Sequence, residues 1–315
     1  MKKDNFLQFL LDKRSLVILG ILLICASIFT REFLTISNLT NVMLQVATDG
    51  IVAVGATFVI ISGGIDLSVG SLIALVSVIT VMLQTHFSTP VGILVSLFTG
   101  ILVGLANGLL ITRVGISPFV TTLGMMTLIK GIALVISDSR SHSGIDPDFA
   151  RLADRPIFGI PFAALIFLIF IFIANTFLVK TSVGRGYYAV GGNPEASWLA
   201  GLNTNRYILM AYAFCSFCTA VGGILLTSRI NTGSPIIAGD TGTTVVSAIL
   251  LGGTSMAGGI GTVYGTFAGV LILGILKNMM NLMGIGGYYQ TIILGLLLVI
   301  TVLADRTHYD HSKTS

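Results

Sequence analysis

The sequence predicts an all-α integral membrane protein, a polytopic helical bundle of about ten transmembrane helices with glycine-interrupted helices. Of its 315 residues, 54% are hydrophobic and only 10% are charged, whereas soluble domains carry about 25% charged residues. Three uncharged runs are each long enough to cross a bilayer, 207–228, 241–276 and 278–304. Because these runs do not alternate between polar and apolar residues, they favour helices over the strands of a membrane barrel.

Hydropathy divides the chain into ten predicted spans and two longer polar loops, so we expect a single transmembrane domain over 1–315. An extracytoplasmic loop is predicted at about 138–156 and a cytoplasmic loop at about 180–206. The predicted spans are 15–30, 41–61, 67–85, 91–112, 117–137, 157–178, 207–228, 243–256, 262–283 and 287–304.

The distribution of basic residues predicts that both termini are cytoplasmic. Positively charged residues accumulate on the cytoplasmic side of membrane proteins, and with ten spans this side receives ten lysines and arginines against five on the other. The predicted inside set is Lys2, Lys3, Lys13, Arg14, Arg113, Lys180, Arg185, Arg206, Arg306 and Lys313, and the outside set is Arg31, Arg140, Arg151, Arg155 and Arg229.

The stretch SGGIDLSVGS, residues 62–71, interrupts an apolar run with two glycines and a carboxylate. Glycine weakens a helix, and aspartate and serine are favoured at helix N-termini. We therefore expect one helix to end at Gly63–Gly64 and another to start at Asp66 or Ser68. Two interpretations follow: an interrupted transporter helix that presents polar groups to a substrate, or a tight cytoplasmic turn with a capping aspartate.

Two sets of glycines spaced four residues apart predict close helix packing, because such spacing places a flat stripe on one helix face. The sets are Gly100, Gly104 and Gly108, and Gly261, Gly265 and Gly269. The sequence also contains a weak internal repeat. SGGIDLSVGS and LGGTSMAGGI both place a glycine pair six residues before another glycine.

The cytoplasmic loop contains PEASWLAG, residues 194–201, which predicts a short helix. Proline suits the first turn, Glu195 suits the positive N-terminal end, and Gly201 suits the C-terminal cap. Such a helix between two spans is either a docking element for a partner or an ordinary surface loop.

Several other activities find no support in the sequence. None of the lysines follows a glycine, so the chain lacks the phosphate-binding loop of an ATPase. Cys215 and Cys218 form a C-x-x-C pair within an apolar span and are interpreted as packing residues rather than a redox site. No catalytic constellation or metal-ligating cluster is identifiable, and the scattered basic residues do not indicate nucleic-acid binding.

Three motifs together resemble the permease subunits of bacterial ribose and simple-sugar ABC importers. They are SGGIDLSVGSLIAL at 62–75, YAVGGNPEASWLAGLN at 188–203 and LGGTSMAGGIGTVYGTFAGVLILG at 251–274, and the resemblance extends from about residue 33 to 305. It implies an inner-membrane permease that pairs with a second permease copy or paralogue, contacts membrane lipid and receives sugar from an extracytoplasmic binding protein. A separate cytoplasmic ABC ATPase would carry ATP and Mg²⁺, so no cofactor is expected in this chain.

The resemblance also assigns expected roles to individual residues. The ATPase-coupling loop would contain Gly184, Arg185, Gly191, Gly192, Asn193, Glu195, Ala196 and Gly201. Candidates for the translocation path, chosen as groups that bond sugar hydroxyls or shape the backbone, are Ser62, Gly63, Gly64, Asp66, Ser68 and Asn107. The sequence departs from the family in two ways, since no I-x-L-P follows the coupling motif and only Asp240 is acidic before the second glycine-pair motif.

The expected function is therefore passage of a monosaccharide, of ribose type or related, through a permease driven by a partner ATPase. The alternative is an ion-coupled secondary transporter of a small polar solute, in which Asp49 and Asp66 would bind the ion. A membrane-embedded enzyme is a further alternative, which the lack of a catalytic constellation disfavours.

Overall fold

A computed structural model of the chain describes the backbone of residues 14–314 and the side chains of residues 15–303. Lys2, Lys3, Lys13 and the side chains of Arg14, Arg306 and Lys313 therefore lie outside the described residues. The helices are α1 Arg14–Phe29, α2 Ile36–Ile61, α3 Val69–His86, α4 Thr89–Leu109 with a π-helical turn Leu110–Val114, α5 Pro118–Ile136, α6 Pro147–Ala150, α7 Phe162–Lys180, α8 Ser182–Gly192, α9 Pro194–Leu199, α10 Thr204–Ile230, α11 Thr241–Leu251, α12 Val263–Leu282 and α13 Gly287–Thr314.

The predicted all-α membrane fold is confirmed, since each predicted span overlaps a helix. Seven helices of the described chain are long and apolar enough to cross a membrane, namely α2, α3, α4, α5, α7, α10 and α12. Three shorter apolar helices lie at Ser15–Phe29, Thr241–Leu251 and Gly287–Leu303, so the number of ten spans stays a prediction.

The eighth predicted span, 243–256, is too long. In the structure α11 ends at Leu251, because the Gly252–Gly253 pair follows it and residues 252–262 form an irregular connection. At 1.5 Å per residue its 11 residues extend only about 16 Å, roughly half of a hydrocarbon core. The chain thus carries an incomplete helix next to an irregular segment at this point.

Helix α2 is the centre of the bundle. Within its most apolar window 89% of the residues are buried, and α10, α12 and α7 pack against it. By contrast, the corresponding windows of α4 and α5 are only 28% and 22% buried. Since apolar side chains of these two helices are exposed, their outer faces are suited to lipid or to another membrane protein.

Polar side chains connect the helices inside the bundle. Asn38 and Asn278 exchange amide hydrogen bonds of 3.0 and 2.7 Å, and Thr57 and Thr266 share one of 2.8 Å. All four side chains are buried. Paired in this way, polar groups stabilise helix association in an apolar surrounding.

The first glycine stripe lies on the face of α4 that contacts α10. A Cβ atom on Gly100 would stand 2.6 Å from the Ala220 Cβ, and one on Gly108 would stand 2.9 Å from the Leu209 Cα. On Gly104 it would collide with the carbonyl oxygen of Tyr212. The absence of side chains therefore sets how closely α4 and α10 approach.

The second glycine set does not form one helix face, and this prediction is wrong for Gly261. Helix α12 begins at Val263, with Thr262 as its N-cap, so Gly261 lies in the preceding connection. Gly265 and Gly269 do lie on α12, and Cβ atoms there would collide with the carbonyl oxygens of Gly252 and Ala248. The two residues pack α12 against the end of α11.

The polar connection between α5 and α7 is ordered by short strands. Strand β1 (His142–Ser143) pairs with β4 (Thr232–Gly233), and β2 (Pro156–Ile157) pairs with β3 (Ile160–Pro161). Asp146 caps α6 by accepting from the backbone N–H groups of Asp148 and Phe149, and it also accepts from the Thr89 hydroxyl. These hydrogen bonds, the one from Thr89 first, lower the pKa of the Asp146 carboxyl.

The contact between α4 and α10 generates a matched pair of substitutions. Gly104→Ala places a methyl group against backbone, so it should destabilise the fold by about 1–3 kcal/mol, as overpacking does. Gly124→Ala on the exposed side of α5 meets no atom within 4 Å and should be neutral or stabilising by about 1 kcal/mol through helix propensity. Thermal unfolding of the purified protein in lipid nanodiscs measures both. Equal midpoints for the two variants would contradict the packing account.

Candidate functional site

The first helix interruption forms a short irregular loop, residues 62–68, between α2 and α3. The N–H groups of Ser62, Gly63 and Gly64 still bond to the last carbonyls of α2. Gly63 has φ +84°, a left-handed conformation that turns the chain away from the helix axis. The loop then continues to Ser68, and α3 begins at Val69. The helix break predicted from the glycine pair is thus found at Gly63–Gly64.

Asp66 and Ser68 do not cap α3 as expected. Ser68 is the N-cap residue, but its side chain makes no capping bond. Instead the Asp66 Oδ1 atom accepts from the Ser68 backbone N–H at 2.9 Å and from its hydroxyl at 2.6 Å. The Asn107 amide donates to the Ser68 Oγ at 3.1 Å. Three predicted path residues therefore form one buried network that joins the loop to α4.

Two atoms of this network have no hydrogen-bond partner among the described residues. They are the Asp66 Oδ2 and the Asn107 Oδ1 atoms. Asp66 is only 4% exposed, and the Cys215 thiol lies beside its carboxyl group without forming a bond of good geometry. Since an unpaired buried polar atom costs about 1–3 kcal/mol, a donor that reached either acceptor would be strongly favoured.

The second interruption, residues 252–262 between α11 and α12, touches the first. The Gly259 N–H donates to the carbonyl of Ile61, the last residue of α2, at 2.8 Å. A Cβ atom on Gly258 would stand 3.0 Å from the Gly63 Cα. The two similar glycine motifs, SGGIDLSVGS and LGGTSMAGGI, are therefore neighbours in space.

Helix α8, in the connection between α7 and α10, packs against both interruptions, loops 62–68 and 252–262. A Cβ atom on Gly191 would collide with the Ile61 carbonyl and stand 2.7 Å from the Gly259 nitrogen. The Tyr188 hydroxyl donates to the Gly261 carbonyl at 3.0 Å. We name this meeting of α8 with loops 62–68 and 252–262 the glycine junction. It leaves no room for a side chain at its centre.

Aromatic rings hold α8 on the bundle. The ring of Tyr187 lies edge-on to those of Phe58, at a centroid distance of 5.4 Å, and Tyr207, at 5.2 Å. Burial, with a smaller effect from Tyr207, raises the pKa of Tyr187 to about 12. Burial also raises the pKa of Tyr188, so its hydroxyl keeps the proton that it donates to Gly261 at physiological pH.

Helix α9 is the exposed part of this region. Asn193 caps its start by accepting from the Ala196 N–H at 2.9 Å, and Glu195 lies in the first turn. At its end Gly201 has φ +87°, and its N–H and that of Leu202 bond back to the helix. This hydrogen-bond pattern is a Schellman motif, in which glycine is favoured. The helix predicted from PEASWLAG is therefore present, and Gly201 lies one residue beyond its C-cap.

The remaining coupling candidates divide into buried and exposed residues. Gly184 is buried, and a side chain there would collide with the Phe177 and Leu178 carbonyls. Arg185, Gly192 and Ala196 are exposed. Next to α9 lies a cavity of about 450 Å³ lined by Phe177, Val183, Tyr187, Gly201, Leu202, Asn203, Arg206, Tyr207 and Met210. Trp198, which is 67% exposed, lies on α9 near this cavity. The region around α9 and the start of α10 therefore offers an apolar surface to a partner.

Comparison with known proteins places this architecture in a family. Residues 38–302 match the family described as the permease component of the branched-chain amino acid transport system. The chain belongs to this permease family. No solved structure matches the chain.

Curated relatives match the permease along nearly its full length. The ribose import permease protein RbsC of Bacillus subtilis (strain 168) is 38% identical, over 91% of this chain and 90% of its own. The protein of the same name from Escherichia coli (strain K12) is 34% identical, over 94% of each chain. The L-arabinose transport system permease protein AraH of E. coli (strain K12) is 36% identical, over 95% of this chain and 92% of its own.

Sequence reasoning missed two tyrosines of the permease that hold the site together. The Tyr212 hydroxyl donates to the Ile65 carbonyl at 3.0 Å, and Tyr188 bonds to Gly261. Both residues lie among apolar neighbours in the sequence. Because a buried tyrosine hydroxyl normally finds a partner, Tyr212, a single tyrosine within an apolar span, was an available signal, although its partner could not be read from the sequence. Tyr188 directly follows Tyr187 and gave no comparable signal.

The glycine junction generates a second matched pair of substitutions. Gly191→Ala should force α8 away from Ile61 and Gly259, since its methyl group has no space. Gly192→Ala changes the next residue, which meets no atom within 4 Å. We expect Gly191→Ala alone to lower the thermal unfolding midpoint and to increase amide exchange in 182–192 and 252–262, by hydrogen-exchange mass spectrometry. If the amide exchange of the Gly191→Ala variant equals that of the parent protein in both segments, the backbone contact between Gly191, Ile61 and Gly259 is not as close as the structure shows.

Proposed function

We propose that this chain is the transmembrane permease subunit of an ABC importer that passes a monosaccharide of ribose type across the inner membrane. The sugar would arrive from an extracytoplasmic binding protein. ATP hydrolysis on a separate cytoplasmic subunit would drive the transport, and that subunit would bind the ATP and Mg²⁺. The names of its relatives, two ribose permeases and an arabinose permease, support a sugar as the solute.

The family itself defines the two protein partners at a general level. Members are permease components of transport systems, and an importer of this kind works with an ATPase and a solute-binding protein. The chain is thus a multi-pass membrane transport subunit rather than an enzyme.

The glycine junction is the observation that carries the proposed mechanism. An ATPase bound to exposed α9 would move α8, with which α9 is nearly continuous. Because the α8 backbone contacts Ile61 and Gly259 directly and the Tyr188 hydroxyl bonds Gly261, a displacement of α8 would act directly on both helix interruptions. The residues Glu195, Trp198 and Arg185 would provide the docking surface.

The orientation follows from this assignment. If α8 and α9 face the cytoplasm, then Arg113, Lys180 and Arg206 lie on the same side, as expected for cytoplasmic basic residues. The strand-ordered connection between α5 and α7 would face the binding protein. Both termini would then be cytoplasmic.

The solute path would use the first interruption. Asp66, Ser68 and Asn107 form a polar network within an apolar bundle, and the free Oδ atoms of Asp66 and Asn107 could accept from sugar hydroxyls when the loop opens. Ser62, Gly63 and Gly64 would shape this opening. A second permease copy or a paralogue would complete the path, and lipid would cover the remaining apolar faces.

An ion-coupled mechanism is the rival, and the environment of Asp49 speaks against it. The Lys277 ammonium lies 3.9 Å from the Asp49 carboxylate, so a coupling cation would have to displace a fixed positive charge. At Asp66 only the Oδ2 atom remains free, because Oδ1 already accepts from the Ser68 N–H and hydroxyl. Uptake that is stopped by vanadate but not by an uncoupler would exclude the rival.

Charge reversal at α9 tests the coupling role. Glu195 is exposed in the first turn of this helix. We expect Glu195→Lys to insert normally but to lose tenfold or more of the ATP hydrolysis that the loaded binding protein stimulates, because it repels or misplaces the ATPase. The measurement uses proteoliposomes that contain the permease and its ATPase, with ribose-loaded binding protein outside.

Glu32→Lys is the matched control, since Glu32 is also exposed but lies between α1 and α2, at the end of α2 opposite to the Ile61 end that α8 contacts. It should keep normal stimulation. Full stimulation in the Glu195→Lys variant, together with normal copurification of the ATPase, would remove α9 as the coupling element.

A further inference from the structure

A polar cavity of about 360 Å³ lies between α2, α11, α12 and α13. Its polar lining includes Gln45, Asp240, Thr243, Thr244, Ser247 and Lys277. A small adjoining cavity adds Asp49. Asp49 is 13 residues from the start and 12 from the end of α2, about 18–20 Å from either end at the helical rise. Asp49 is therefore at mid-height of α2, and the cavity extends from this region to the first turn of α13, which contributes Gln290 and Thr291 to its lining.

The backbone around the cavity explains how polar groups reach this depth. The segment before α11 descends along α3, because a Cβ atom on Gly70 would stand 2.6 Å from the Ala238 carbonyl oxygen. Helix α11 therefore begins inside the bundle, and Asp240, Thr243 and Thr244 lie at its first turns. Discontinuous helices that start at mid-membrane are a common way to present polar groups to a transported solute.

The charges in the cavity disfavour an anionic occupant. The Lys277 ammonium and the Asp49 carboxylate, 20% and 29% exposed, lie 3.9 Å apart and cancel each other. Asp240 is exposed beside the N-terminus of α11, whose dipole favours a negative charge there. A phosphate or a lipid headgroup would meet this carboxylate and a lysine that is already paired.

Two side chains in the lining have unused hydrogen-bonding capacity. Among the described residues, neither the Gln45 amide nor the Thr244 hydroxyl has a hydrogen-bond partner, and Thr244 is only 7% exposed. By contrast, the Ser247 hydroxyl already donates to the Thr243 carbonyl at 2.7 Å. Gln45 is half-buried, and neither its amide nor the Thr244 hydroxyl is sealed from solvent. Both groups are therefore available to bond a solute with hydroxyl groups that enters the cavity.

We propose that this cavity is a binding position for a neutral polyhydroxylated solute inside the helical bundle. The Gln45 amide and the Thr244 hydroxyl bond the solute, and the Asp49–Lys277 pair forms an electrically balanced wall. The inference rests on the proposed function, because it names a position on the route of the same sugar. It adds a site in α2 and α11 that is separate from the Asp66 network.

Substitutions of similar shape test the hydrogen bonds to the solute. Thr244→Val and Gln45→Met remove these bonds while keeping side-chain volume. In proteoliposomes with the ATPase and ribose-loaded binding protein, we expect each to lower the ribose taken up per ATP hydrolysed by roughly three- to tenfold, the value of one lost hydrogen bond. Stimulated ATP hydrolysis should stay normal. Thr227→Val is the control, since that buried hydroxyl bonds the Gly223 carbonyl within α10, and its uptake per ATP should not change.

Accessibility provides a second readout. Thr243 is exposed in the cavity, so Thr243→Cys should react with a charged methanethiosulfonate reagent, and ribose turnover should slow that reaction. Thr99→Cys lies mid-helix on α4 among the exposed apolar residues Val95, Phe98 and Leu102, so it should not react. No reaction at Thr243→Cys would show that the cavity holds no water and overturn the inference.

The outcomes separate this inference from the proposed function. If the parent protein takes up ribose with ATP but Thr244→Val and Gln45→Met keep normal uptake per ATP, the cavity is not a solute position and the inference fails alone. If the parent protein takes up no ribose or other monosaccharide under these conditions, the proposed function fails. The reaction of Thr243→Cys then still decides whether the cavity is open to water.

Discussion

The close approach of backbone to backbone at the glycine junction is the constraint on which the rest of the structure depends. Gly191 lies so near the Ile61 carbonyl and the Gly259 nitrogen that no Cβ atom fits. Three separate parts of the chain therefore meet through their main chains at this point. Such a contact has little side-chain freedom to absorb movement, so it is well suited to transmit the position of α8 to the two interruptions.

Several polar groups of the bundle lie where helices end or begin. Asp66, Ser68 and Asn107 lie at the first interruption, and Asp240 and Thr244 lie at the start of the shortened α11. An unpaired charge in a bilayer is costly, which explains why Asp49 and Lys277 face each other within their spans. The incomplete α11 and the irregular segments thus create polar space without breaking the apolar exterior.

The sequence predicted the fold class and the breaks because their signals are local. Glycine pairs end α2 and α11, and the N-cap of Asn193 and the final Gly201 bound α9. The location of the junction was not predictable, because Gly191, Ile61 and Gly259 are far apart in the chain. Gly261 was misplaced on a helix since a four-residue spacing cannot show where α12 begins. The Asp66–Ser68 bonds replaced the expected cap because Asn107 of α4 donates to the Ser68 hydroxyl, a contact between separate helices.

Cryo-electron microscopy of the assembled transporter in nucleotide-free and ATP-bound states would test the central claim most directly. The account predicts that α8 and the loops 62–68 and 252–262 move as one unit. The Ile61 carbonyl oxygen and the Gly259 nitrogen should stay near their present separation of 2.8 Å in both states. The loop 62–68 should move relative to α4, so that the present 3.1 Å distance between the Asn107 amide nitrogen and the Ser68 Oγ changes. A structure in which α8 moves with the ATPase but separates from Ile61 and Gly259 would contradict the account.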